Sequence, residues 1–81
     1  MIDRIRKLLS GNPMIPMDFA ALGDDANLYD AGLTSFASVQ MMLALEEEFD
    51  IEFPENMLTR RTFSSLANVA DAVSQLTRKA A

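Results

Sequence analysis

The sequence predicts an all-α fold: a small bundle of three main helices plus one short helix, with a long loop between helices 1 and 2. Three observations lead there. Apolar residues recur at helical spacing in three separate stretches. The one extended stretch, Asp50-Ile51-Glu52-Phe53-Pro54-Glu55, has too little sequence around it to build a sheet and reads as a crossover between helices. A chain of 81 residues, 49% apolar, supports one small core and a single domain, taken as 1–81.

The first helix is expected over residues 2–10, where Ile2, Ile5, Leu8 and Leu9 share a face and Ser10-Gly11-Asn12-Pro13 stops it. From Ser10 to Thr34 the pattern is irregular, longer than most connections in so small a domain. A helical turn around Asp18–Leu22 is expected to occupy part of it, and a turn at Asp24–Asn27. Met14, Ile15, Met17, Phe19, Leu22, Leu28 and Leu33 are expected to pin the loop to the core. The strongest helix runs from Ser35 to about Phe49, with Thr34 or Ser35 as its N-cap. Met42, Leu45 and Phe49 form one stripe with Met41 beside it. Phe36, Val39 and Leu43 form a second stripe, either packed on another helix or open to partners. Asn56–Arg61 is expected to be the short helix, with Met57 and Leu58 inward. Thr62 is expected to cap a final helix bearing Phe63, Leu66, Val69, Ala70, Val73 and Leu76, ending near Arg78, with Arg78 and Lys79 suiting its C-terminal dipole. The six Met residues read as adaptable core fillers.

Composition narrows the function. There is no Cys and no His, which removes disulfides, thiol nucleophiles, thiolate metal sites and the usual general base. The acidic pairs do not match a calcium loop. The N-terminus lacks a secretory h-region and no stretch reaches the roughly 20 apolar residues of a membrane span, so a cytoplasmic protein is expected. Net charge is −5, and no Lys or Arg occurs between Leu8 and Thr59, where ten of the twelve acidic residues lie. That field repels a phosphate backbone, which argues against nucleic-acid binding, and attracts basic protein surfaces.

Asp30-Ala31-Gly32-Leu33-Thr34-Ser35-Phe36 places Ser35 after a glycine turn at the start of the strongest helix. On position alone Ser35 is either a plain N-cap or a modification site. As a catalyst it lacks a nearby base. Glu46-Glu47-Glu48 opposes the dipole at the helix end, which local propensity leaves unexplained, so this triplet is either a solvated face or a partner contact.

Gly32-Leu33-Thr34-Ser35-Phe36, followed by Val39, then Ala44-Leu45-Glu46-Glu47-Glu48-Phe49 and Phe53-Pro54, resembles the acyl and peptidyl carrier proteins over about Asn27 to Leu76. The resemblance implies no enzymatic activity and no metal. It implies a 4′-phosphopantetheine group on Ser35, installed from coenzyme A by a phosphopantetheinyl transferase and holding acyl groups as thioesters. An anionic phosphodiester there agrees with the free N–H groups of a helix start, and Gly32 with the sharp turn into it. Thr34, Phe36, Val39, Gln40, Leu43, Glu46 and Glu47 would form the surface met by the transferase, an acyl- or amino-acid-activating ligase and a downstream acyl-transfer enzyme. Thr34 replaces the family's common Asp, Phe36 its Leu and Gln40 its frequent Glu, which points to a specialised relative. A free-standing monomer of this kind resembles the bacterial aminoacyl carrier proteins, with a small amino acid such as glycine or alanine as cargo. A fatty-acyl or polyketide carrier is the rival within the family, and an unmodified acidic helical adaptor is the rival outside it.

Overall fold

A computed structural model describes residues 1–80 and contains three α-helices: α1 (Ile2–Ser10), α2 (Ser35–Phe49) and α3 (Leu66–Ala80). Single 3₁₀ turns lie at Phe19–Ala21 and Glu55–Met57, and the described residues include no strand. The fold is the all-α bundle expected, and among the described residues no helix is long and apolar enough to cross a membrane.

α1 buries Ile5 and Leu9, one turn apart on the core face. Arg6 ties that helix to the long loop. Its guanidinium donates to the carbonyls of Phe19 and Leu22, both at 2.5 Å, and forms an ion pair with Asp24. Ile15, Phe19, Leu28 and Leu33 enter the core, so the loop is pinned as expected. Met14 is the exception and faces solvent, as does Met1, so two of the six methionines fill no core.

α2 buries Ala37, Met41 and Leu45, a stripe at four-residue spacing. Met42 and Phe49 lie half-buried on its flank, so the core face is turned slightly from the expected Met42–Leu45–Phe49 line. The helix ends on Asp50, which adopts left-handed backbone angles (φ 51°, ψ 52°) and donates its N–H to the Glu46 carbonyl. A short polar residue tolerates this C-cap better than a branched one.

The extended connector then carries Phe53 into the core, its ring centroid 5.4 Å from that of Phe63. Two expectations change here. The short helix over Asn56–Arg61 is only the Glu55–Met57 turn, and Leu58 is exposed rather than inward. The final helix starts at Leu66, not after Thr62. Ser65 is its cap, accepting the Asn68 N–H at 3.1 Å. The physical reason lies in the side chains between. Thr59 Oγ1 accepts the Thr62 N–H, Ser64 Oγ donates to the Arg61 carbonyl, and Asn68 Nδ2 donates to that same carbonyl. Such local bonds hold the backbone in turns that compete with a helix. Phe63 therefore reaches the core from a turn. Leu66, Val69, Ala72, Val73 and Leu76 complete α3's buried face, which packs on α1 and α2. The expectation for Lys79 concerns a side chain outside those described.

Candidate functional site

The segment leading into α2 is a stack of turns. Asn27 Oδ1 accepts the Asp30 N–H at 3.0 Å, and the Asn27 carbonyl accepts the Ala31 N–H at 3.1 Å. Gly32 donates to the Tyr29 carbonyl, and Leu33 donates to the Leu28 carbonyl at 2.9 Å. Closing this loop requires φ 114° at Gly32, a conformation that side chains disfavour even though a Cβ there would meet nothing within 4 Å. Leu28 and Leu33 anchor the turns in the core, and the Leu28 N–H bonds the Ser64 carbonyl at 2.8 Å. Arg60, from the far side of the acidic interval, lies 3.9 Å above the Tyr29 ring. The start of α2 is thus fastened to the chain preceding α3.

The two adjacent hydroxyls have separate roles. Thr34 has extended backbone angles, and its Oγ1 accepts the Ala37 N–H at 3.0 Å, so Thr34 is the N-cap. Its carbonyl accepts the Ser38 N–H at 2.9 Å. Ser35 is the first helical residue, exposed, and its hydroxyl makes no hydrogen bond among the described residues. Nor do the backbone N–H groups of Ser35 and Phe36 find an acceptor among them. A free hydroxyl beside two free amides at the positive end of a 15-residue helix suits a group bearing an anionic ester. No acidic side chain hydrogen-bonds that hydroxyl to act as its base, and the described residues hold no His/Cys/Asp/Glu cluster fit for a metal ion.

From Ser35 an apolar strip runs along the solvent face of α2. Phe36 is 60% exposed, Val39 49% and Leu43 48%, so the second stripe faces outward rather than into the bundle. Gln40 lies half-buried at its margin, and Glu47 continues it by one turn. No charged residue lies between Asp30 and Glu46, so this strip is neutral.

The three glutamates at the helix end separate. Glu46 is half-buried, and its Oε2 accepts the Phe53 N–H at 2.9 Å, fixing the connector. Glu48 pairs with Arg4 at 2.9 Å, whose guanidinium also lies 4.5 Å from the Phe49 ring centroid. Only Glu47 is exposed with no partner among the described residues. The triplet that dipole arguments left unexplained is therefore mostly accounted for inside the molecule. Sequence reasoning missed Arg6 and Arg60 as loop fasteners. Their place in the basic clusters that flank a cation-free interval was the available signal.

Comparison with known proteins agrees with this arrangement. The family model described as "Phosphopantetheine attachment site" matches residues 3–73. An aminoacyl carrier protein of Agrobacterium fabrum is 49% identical over 69 residues, spanning 85% of this chain and 83% of that one. The chain also resembles the carrier in a crystal structure of an engineered Bradyrhizobium japonicum glycine:[carrier protein] ligase complexed with carrier protein from Agrobacterium tumefaciens and ATP. The TM-score is 0.83 at 45% identity, over 93% of this chain and 97% of that one. A glycylated carrier protein complexed with the Bradyrhizobium japonicum ligase gives 0.65 at 31% identity, over 88% and 90%. With a helical bundle of this shape and a match over nearly its whole length, the chain belongs to the phosphopantetheine-binding carrier proteins, whose cofactor is covalently attached 4′-phosphopantetheine.

Proposed function

We propose that Ser35 is the attachment residue and that the chain, as one domain over 1–81, carries aminoacyl groups without catalysing a reaction itself. One observation carries this reading: the Ser35 hydroxyl is exposed and unbonded while its neighbour Thr34 performs the capping. The chain lacks Cys, and bound phosphopantetheine supplies the thiol on which a thioester is held. The chain's own residues do the rest. Thr34, Gly32 and the buried Leu33 fix the position of the hydroxyl, and the free amides of Ser35 and Phe36 favour the phosphodiester anion there.

The relatives support a small amino acid as cargo, glycine first, loaded by an amino-acid-activating ligase. A phosphopantetheinyl transferase precedes that step and an acyl-transfer enzyme follows it, all three in the cytoplasm with the carrier as a monomer. Their docking surface is Thr34, Phe36, Val39, Gln40 and Leu43, with Glu47 at its edge. Glu46 serves it indirectly, by holding the connector.

Intact-protein mass spectrometry after incubation with coenzyme A and a broadly active transferase tests the attachment. The wild type is expected to gain one phosphopantetheine and Ser35→Ala none. An unchanged wild-type mass would overturn the proposal.

A further inference from the structure

Glu47 lines an open groove of about 460 Å³ between the end of α1 and the last turns of α2. The groove is lined by Leu8, Gly11, Asn12, Ala44, Glu47 and Glu48. Three features make it a place for a small cation. Glu48 is already paired with Arg4, which leaves Glu47 as the lining carboxylate with no partner among the described residues. The C-terminus of α1 abuts it at Gly11, adding the negative end of that helix's dipole. Leu8 and Ala44 supply apolar walls on which a short aliphatic chain rests.

The groove also lies at a telling distance from Ser35. Twelve residues of α2 separate Ser35 from Glu47, a rise of roughly 18 Å. The path between them is the neutral strip of Phe36, Val39 and Leu43. An arm attached at Ser35 has to span that distance to reach the groove. An aminoacyl thioester at the end of such an arm presents an α-ammonium group, the charge that Glu47 lacks.

We infer that Glu47 and the α1–α2 groove form a resting site for the aminoacyl end of the loaded arm, with the Glu47 carboxylate receiving the cargo's α-ammonium. The inference rests on Ser35 being the attachment residue. The site discriminates by charge: an acyl group without an amine has no ionic partner there, so an aminoacyl cargo lingers longer than a simple acyl cargo. The contact is solvent-exposed and therefore shallow. Ion pairs of this kind shift occupancy about two- to five-fold and weaken with salt. A partner covering the Phe36–Leu43 strip displaces the resting arm, so docking and release of the cargo are coupled through one surface.

The test uses the full chain modified at Ser35 by a transferase with stable amide-linked analogues of glycyl- and acetyl-coenzyme A. Mass spectrometry first establishes modification at Ser35. If none occurs, the attachment reading fails and the resting site with it. On modified protein, NMR follows the backbone amides of Ala44 and Glu47 and nuclear Overhauser contacts from the glycyl methylene or the acetyl methyl to the methyl groups of Leu8 and Ala44. The glycyl form is expected to show these contacts and amide shifts. They are expected to fall about two- to five-fold in Glu47→Gln or on adding 1 M salt, and to be weaker by a similar factor in the acetyl form. Equal signals from glycyl and acetyl forms, signals unaffected by Glu47→Gln, or no contact in any form would overturn the resting site while leaving the attachment reading intact.

Discussion

Helix α2 has two outer surfaces that differ in kind. Its first ten residues, Ser35–Ala44, carry no charge, and they leave Phe36, Val39 and Leu43 open to solvent. Its last turn carries three glutamates, of which Glu46 and Glu48 are bound to Phe53 and Arg4. The open end is apolar, and the charged end is largely occupied by the molecule's own contacts. An acidic chain thus presents a neutral, exposed face beside Ser35. If partners dock on that face as proposed, net charge governs long-range approach over a Debye length of about 10 Å at 0.1 M salt, and the strip governs the final fit.

The largest expected effect breaks this comparison if it fails. Leu45→Ala, on the buried face of α2, is expected to cost about 2–5 kcal/mol in chemical denaturation. Phe36→Ala is expected to change stability by no more than about 0.5 kcal/mol while reducing partner docking, seen as a raised KM in transferase modification. Comparable destabilisation in both variants would place Phe36 in the core and remove the open surface. Next in size is the pair of hydroxyls. Thr34→Ala is expected to lose about 0.5–2 kcal/mol with the cap, and Ser35→Ala close to nothing. Reversal of that order would make Ser35 the cap. Smallest is the glutamate pair. Glu46→Ala is expected to cost about 1 kcal/mol through the orphaned Phe53 amide, against a few tenths for Glu47→Ala. Urea midpoints of the two variants decide it.

Much of this was legible in the sequence where local signals agree. The breakers at Ser10–Pro13 mark the end of α1, and Gly32 before two hydroxyls marks the start of α2. What was not legible depends on competition or distance. Thr62 was the expected cap, and only the bonds among Thr59, Arg61, Thr62, Ser64 and Asn68 move the helix start to Ser65. Thr34 and Ser35 are equivalent by residue type, and backbone geometry separates them. The roles of Glu46 and Glu48 depend on Phe53, seven residues away, and Arg4, forty-four residues away. The outward turn of the Phe36 stripe needed the orientation of the whole helix, which Ala37, being small, did little to announce.

Because Thr34 alone closes the helix entrance, esterifying residue 35 removes no bond that the scaffold depends on. Bare and loaded forms are therefore expected to share one backbone. An enzyme telling them apart would then have to read the appendage itself, and no rearrangement of the bundle is expected on charging the carrier in either direction of the cycle.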